Sequence, residues 1–305
     1  MTCPDLPRPL AEVPGAPPAD YPGPWPSVTT AVCTRNRPAD LARCVEALCA
    51  LDYPGTLDIL VVDNAPSDDS TDILVRARFP QVRYVRELRP GLDWARNRAI
   101  IEARGEILAY TDDDVVVDQL WARAIARVFA ENPGVMAVTG LVVPLEPETA
   151  AQLAFEQYGG FGRGFTQRWY GINRADGERA AAEHMATGKY GTGANMAYRR
   201  SVFSRIGGFD PALDVGTVTH GGGDLEMFFR VIKADFPLVY EPRAMVRHRH
   251  RPDYRSFVTA YSVKCCASSA ASMTYWASAR CCAPGKIATS AFVSCQLAGR
   301  SSIPP

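Results

Sequence analysis

The sequence predicts an α/β protein, a mostly parallel central sheet with helices on both faces. Three observations predict it. From Ser27 onward, apolar β-branched runs alternate with segments of helical periodicity. Gly, Pro and Asn punctuate the joins. Three strand ends finish in polar groups, Thr34-Arg35-Asn36, Asp63-Asn64 and Asp112-Asp113-Asp114, and in such sheets ligands sit outside the carboxyl ends of the strands. The composition agrees. A chain of 305 residues with 47% hydrophobic and 22% charged residues is not disordered as a whole.

Taken in order, residues 1–26 hold nine prolines, which forbid helix and most ladder pairing, so a disordered leader is expected. Val28–Cys33 is the first strand. Asn36-Arg37-Pro38 ends it, and Leu41, Cys44, Val45 and Leu48 recur at helical spacing, with Asp40 placed to cap. Leu57–Val62 is the second strand, Asp68–Arg78 a short helix and Val82–Val85 the third strand. Leu92–Arg104 is a helix closed by Gly105, Ile107–Tyr110 the fourth strand, Gln119–Ala130 a helix capped by Asp118, and Val135–Val143 the fifth strand. The second half is looser. Nine glycines between 159 and 193 mark a long functional loop or lid. Leu225–Ala234 reads as a helix, with short strands at Phe236–Tyr240 and Ala244–Val246. Beyond Tyr261 the texture turns to Ser, Ala and Cys, an atypical tail. The expected domains are a leader (1–26), a catalytic-type domain (27–255, split at 145/146 into a nucleotide-binding and an acceptor half) and a C-terminal tail (256–305).

Charge and cysteines narrow the class. Lys+Arg and Asp+Glu are both 33, so the net charge is zero, and with acids at the strand ends a nucleic-acid partner is disfavoured. No apolar run approaches the ~20 residues that span a bilayer. The N-terminus lacks a basic and an apolar signal region, so a cytoplasmic location is expected, with the 9 cysteines as reduced thiols. The pairs Cys265-Cys266 and Cys281-Cys282 do not have the spacing of a zinc site. No P-loop, nucleophile elbow or dinucleotide fingerprint occurs.

The acidic triplet is the first chemical candidate. Carboxylate oxygens suit Mg²⁺ or Mn²⁺, commonly shared with substrate phosphates, and Asp112 and Asp114 project to one side of an extended turn. A solvated turn ahead of a helix is the alternative. Asp224 follows three glycines at a helix start, where it could cap the helix, serve as a general base toward a hydroxyl, or both. His248 and His250 share one face of an extended segment and could complete a metal shell. Alternatively they sit in a basic patch with Arg243, Arg247, Arg249, Arg251 and Arg255 that touches phosphate or a membrane surface. Arg96 and Asn97 could reach a diphosphate, although Arg on a helix face is normally solvated.

Seven segments in order give these candidates a context. Val28–Pro38 (VTTAVCTRNRP), Val61–Thr71 (VVDNAPSDDST), Gly91–Ala99 (GLDWARNRA), Tyr110–Val115 (YTDDDV), Gly191–Arg200 (GTGANMAYRR), Ile206–Asp210 (IGGFD) and Gly221–Arg230 (GGGDLEMFFR) together resemble the family 2 glycosyltransferases of the GT-A fold, over roughly residues 27–255. The resemblance implies an inverting transferase using a nucleotide-diphospho-sugar and a divalent cation, Mn²⁺ or Mg²⁺. On it, Thr34, Arg35, Asp63, Arg96, Asn97, Asp112 and Asp113 bind the donor. Asp112 and Asp114 hold the metal, to which the extended spacing at 248 and 250 adds His248, and Asp224 is the base. Gly193, Asn195 and Glu226 belong to the acceptor side. Gly223 stands where the family pattern has Glu, one carboxylate fewer near the acceptor.

The acceptor class implied is a hydroxyl on a saccharide, lipid carrier or small molecule. The last would not need a membrane, whereas a lipid carrier would call for peripheral contact at the inner membrane face, to which the arginine patch is suited. Two rival readings are a sugar nucleotidyltransferase and a non-catalytic nucleotide-sugar or carbohydrate-binding protein with a degenerate site. The first should carry a glycine-rich loop after the first strand, where Thr34–Pro38 has no glycine. The second rests on Gly223 and the tail.

Overall fold

A computed structural model describes residues 21–157, 160–171, 187–214, 217 and 221–252. The expected tail (256–305), most of the leader and much of the glycine-rich stretch lie outside these residues. The chain begins with β1 (Val28–Thr34), α1 (Pro38–Cys49), β2 (Leu57–Asn64), α2 (Ser70–Arg78), β3 (Arg83–Glu87), α3 (Leu92–Glu102) and β4 (Ile107–Asp112). There follow β5 (Val115–Val117), α4 (Trp121–Glu131), β6 (Ala137–Pro144), α5 (Ala150–Gln157), β7 (Arg168–Tyr170) and β8 (Asn195–Arg199). Short α6 (Phe203–Ile206), then α7 (Gly223–Lys233) and β9 (Leu238–His248) complete the elements.

The strands form one sheet in the order β3-β2-β1-β4-β8-β6-β9-β5, with β7 also on β9. Its first half, β3-β2-β1-β4, is parallel as the strand–helix alternation predicts. β8 then pairs antiparallel with both β4 and β6, so the complete sheet is mixed. Side-chain alternation builds a core on each face. On one side Val28, Val32, Leu41, Val45, Trp121 and Phe129 pack under α1, α2 and α4. On the other, Ala31, Leu60, Tyr110, Tyr198, Phe209 and Phe228 pack under α3 and α7.

Several boundaries differ from expectation for local reasons. α1 starts with Pro38 in the first turn and Asp40 makes no capping bond. Proline has no N–H to leave unsatisfied there, and Asp40 instead binds Arg37 and Arg43. The two short strands expected at 236–246 are one strand, β9, because Pro242-Arg243-Ala244 bulge out while pairing continues. Glu241 faces Gly140 and Met245 faces Leu141, and proline tolerates the unpaired position. α5, which no expectation covered, lies between β6 and β7. At the other end Tyr21–Pro26 is not loose: Trp25 packs edge-on against Tyr53 at 5.8 Å, and the Tyr53 hydroxyl donates to the Pro26 carbonyl. Among the described residues no helix is long and apolar enough to cross a membrane.

Candidate functional site

β4 delivers Asp112 at its carboxyl end, and the turn into β5 carries Asp113 and Asp114. β5 then folds back antiparallel on β9, pairing Val115 with His248. That pairing brings a histidine from far along the sequence to the acidic turn, and the Arg249 amide donating to the Asp114 carbonyl at 3.0 Å fastens it. One ligand atom each from Asp112, Asp114 and His248 lie within 4.8 Å of one another. His248 Nε2 is 3.3 Å from Asp114 Oδ1, a buried oxygen with no hydrogen-bond partner. Burial pulls His248 down to about 4, so at neutral pH the imidazole is uncharged and able to coordinate. Two carboxylates and one imidazole around an unsatisfied buried oxygen fit a divalent cation of the Mn²⁺ or Mg²⁺ type.

The middle acid has a different task. Asp113 accepts from Thr34 Oγ1 at 2.8 Å and from Arg37 Nη1 at 2.6 Å. Arg37 also reaches Asp114 Oδ2 at 3.0 Å and Asp40 at 3.0 Å. One guanidinium thus ties the end of β1 to the acidic turn and occupies one oxygen of Asp114 while leaving the other open. Burial nevertheless raises Asp113 to about 6 and raises Asp112 beside it. At the end of β2, buried Asp63 accepts from the Tyr84 hydroxyl at 2.7 Å, and its other oxygen is unsatisfied. Arg35 is exposed just beyond β1.

Past Asp112 a cavity opens between α3, α7 and the loop before β8. Its lining includes Asp93, Arg96, Asp112, Gly193, Asp214 and Asp224. Arg96 is buried and pairs with Asp93 at 2.9 Å, and Asp93, Asp224 and Asp112 hold it charged. α7 starts after Gly221 and Gly222, both at left-handed φ (120° and 119°), which glycine adopts without strain. The cap position belongs to Gly222, and Asp224 sits inside the first turn. Freed from capping, Asp224 Oδ2 accepts the Gly193 amide at 2.7 Å. Gly193 can come this close because it has no side chain: a Cβ there would be 2.4 Å from Arg96 Nη2.

Three expected site residues face elsewhere. Asn97 uses both ends of its amide on the Phe209 backbone, donating to the carbonyl and accepting from the amide at 2.8 Å each. It anchors the loop after α6 rather than a ligand. Asn195 is fully buried. Its amide donates to the Leu141 and Ala244 carbonyls at 3.0 and 2.7 Å and accepts the Trp121 indole N–H at 2.8 Å. Those two carbonyls lie at the β6–β9 bulge, so Asn195 spends its whole amide on the sheet and on Trp121. Glu226, two positions along α7 from Asp224, pairs with Arg230 at 2.7 Å, on another face of the helix.

Sequence reasoning also missed residues. Arg37, Asp93 and Asp214 each take part in the site. Asp214 Oδ2 accepts the Asp93 amide at 2.7 Å, across 121 residues, a separation no local pattern reports. The basic patch is partly neutralised. Arg243 pairs with Glu241 at 2.8 Å, and Arg249 contacts Asp40 and Glu146 at 3.5 and 3.3 Å. Arg255 lies outside the described residues.

The arrangement combines a metal-competent end, a buried cation at Arg96 and a backbone-held carboxylate at Asp224 around one cavity. Such a set can bind a diphosphate, offset charge leaving with it, and accept a proton. The model of the glycosyl transferase family 2 matches residues 29–207, more than half of the chain. Among curated proteins, a glucosyl-dolichyl phosphate glucuronosyltransferase of Haloferax volcanii is 27% identical over 191 residues, covering 60% of this chain and 56% of the relative. A pre-mycofactocin glycosyltransferase of Mycobacterium tuberculosis is 26% identical over 231 residues, 76% of this chain and 44% of the relative. The chain thus spans about half the length of these relatives. A solved structure of GalNAc-T7 with UDP, GalNAc and Mn²⁺ superposes with a TM-score of 0.55 at 15% identity, covering 77% of this chain and 47% of that one. That likeness assigns the GT-A fold.

Proposed function

The chain belongs to glycosyl transferase family 2, and on that premise we propose that it is an inverting, metal-dependent glycosyltransferase. It moves a sugar from a nucleotide-diphospho-sugar to an acceptor hydroxyl, with Asp224 as general base. The observation that carries this reading is the shared cavity: Asp224 and Arg96 line it together with Asp112, the first member of the metal-competent trio.

Asp112, Asp114 and His248 would hold the cation, which when bound supplies positive charge beside the diphosphate. Arg96, buried and held charged, faces the same region and offsets charge on the departing nucleoside diphosphate. Gly193 N–H fixes one oxygen of Asp224, and the carboxylate, which lines the cavity, takes the acceptor proton as the hydroxyl oxygen attacks the anomeric carbon. Attack opposite the leaving group inverts the configuration. The bound UDP and Mn²⁺ of the GalNAc-T7 structure support UDP-sugars as the first donors to test. The lipid-phosphate acceptor named for the Haloferax relative, and the description "beta-monoglucosyldiacylglycerol synthase" of a Synechocystis relative 31% identical over 113 residues, support a lipid-borne or saccharide hydroxyl as acceptor.

The test is turnover. Purified protein is given UDP- and GDP-sugars with Mn²⁺ and a panel of lipid and saccharide acceptors, with nucleoside diphosphate release and product anomeric configuration as readouts. Release that is lost in Asp224→Asn while donor binding persists is the expected result. A product of retained configuration, or an active Asp224→Asn, overturns the mechanism. Donor binding with no release for any acceptor favours a binding protein.

A further inference from the structure

His248 does not stand alone behind the acidic turn. Its Nδ1 lies 3.0 Å from Nδ1 of His250, and His250 Nε2 lies 2.8 Å from Glu156 Oε1 on α5. The three side chains form a line from the end of α5 to Asp114. His250 is 5% exposed and packs edge-on against Phe155 at 4.9 Å and Phe161 at 5.6 Å. One helical turn before Glu156, Gln152 donates to the His250 carbonyl at 2.7 Å. The i, i+4 pair of α5 therefore clamps His250 by its backbone and by its ring.

These distances admit one arrangement of protons that leaves a ligand atom facing the acidic turn. A carboxylate only accepts, so His250 Nε2 must carry a hydrogen. In that arrangement His250 Nδ1 accepts and His248 Nδ1 donates across the 3.0 Å contact. That leaves the lone pair of His248 on Nε2, the atom facing Asp114 Oδ1 at 3.3 Å. Two acceptors at that distance, one of them a buried oxygen without a hydrogen-bond partner, would suit a shared divalent cation.

We propose that Glu156 and His250 are positioning residues for the metal, a Glu156–His250–His248 relay that holds His248 in the one tautomer able to coordinate it. The inference rests on the metal-site reading above. Neither residue lines the cavity of Arg96 and Asp224; both act through His248. Supports of this kind typically weaken metal binding 10–100-fold when removed.

Two measurements on the full chain test it. Long-range ¹⁵N–¹H NMR of the imidazoles in EDTA should find His248 protonated at Nδ1 in wild type, with that preference lost in Glu156→Ala; protonation at Nε2 overturns the relay. Calorimetric titration with Mn²⁺ alone should find Glu156→Ala and His250→Phe roughly 10–100-fold weaker than wild type, with Glu156→Gln, which keeps an acceptor oxygen, in between. Glu156 is partly exposed, so the melting temperature of Glu156→Ala in EDTA should stay near wild type. Reduced melting with unchanged Mn²⁺ affinity assigns the residues a packing role only and overturns the relay. If wild type and Asp114→Asn bind Mn²⁺ equally, the metal site itself fails and the relay with it. If Asp114→Asn loses binding but the Glu156 and His250 variants do not, the relay alone fails.

Discussion

Gly223 and Asp93 compete for one space: a Cβ on Gly223 would stand 2.0 Å from Asp93 Oδ2. Position 223, where the family pattern places Glu, is glycine, and a buried carboxylate from α3 stands against it. The cavity wall keeps a second acid beside Asp224, supplied by a different element. Arg96 holds that acid by its side chain, and Asp214 holds it by its backbone amide.

Gly223→Ala should therefore destabilise the protein. Helix propensity alone would favour alanine by about 1 kcal/mol, so a net loss reports the clash. Overpacking of this kind costs ~1–3 kcal/mol, a fall of several degrees in melting temperature. Adding Asp93→Ser should recover most of it in a double-mutant cycle. Additive losses would show that the two positions do not share the space.

Asp114→Asn should uncouple nucleotide from metal. In wild type, UDP or GDP at 100 times its dissociation constant with Mn²⁺ should stabilise by about 2.7 kcal/mol. The shift should vanish in EDTA and in the variant. A nucleotide shift that survives both treatments would place the nucleotide away from the acidic turn.

Asn195→Ala should cost stability without changing ligand affinity. It removes the buried hydrogen bonds to the Leu141 and Ala244 carbonyls and leaves the Trp121 N–H without its acceptor, at roughly 1–3 kcal/mol for a buried group left unsatisfied. A markedly lower melting temperature with unchanged Mn²⁺ and nucleotide dissociation constants is expected. A selective loss of acceptor turnover at unchanged stability would restore Asn195 to the acceptor side.

The pH profile of the metal-free protein follows from its buried acids. Burial lifts Asp93 and Asp113 to about 6 from an ordinary 3.8, so between these values the folded state holds more protons than the unfolded one. Their contribution to stability consequently falls as pH rises through that window. Melting curves in EDTA from pH 4 to 7 should show wild type losing stability relative to Asp93→Asn as pH rises, and Mn²⁺ should offset most at the upper end. A wild type that gains on Asp93→Asn with rising pH would contradict the assignment.

The parallel half of the sheet and its polar strand ends were legible because both are written in local patterns. Val28–Cys33 and Leu57–Val62 are buried runs bounded by breakers, and the acids follow directly. Asp112, Arg96 and Asp224 line one cavity, and Asp114 and His248 stand beside Asp112. What could not be read depended on distance in the chain. Nothing near Asp214 announces that it will receive the Asp93 amide, and nothing near Glu156 announces His250. Asn97 and Asn195 misled for the opposite reason: their motif neighbours point to a ligand, whereas burial against bare backbone groups claimed their amides first.

β9 has a further consequence for how the molecule opens. It pairs with β6 along both of its halves, with β7 at its start and with β5 at its end, so His248 is carried on a strand flanked on both sides. The backbone amides of Val246 and His248 should then exchange with deuterium only through global unfolding, while those of 160–167, outside any strand, exchange through local fluctuations. The imidazole that faces the acidic turn would then be mounted on a slow-opening strand, with the Phe161 ring of the faster loop resting on it at 5.3 Å.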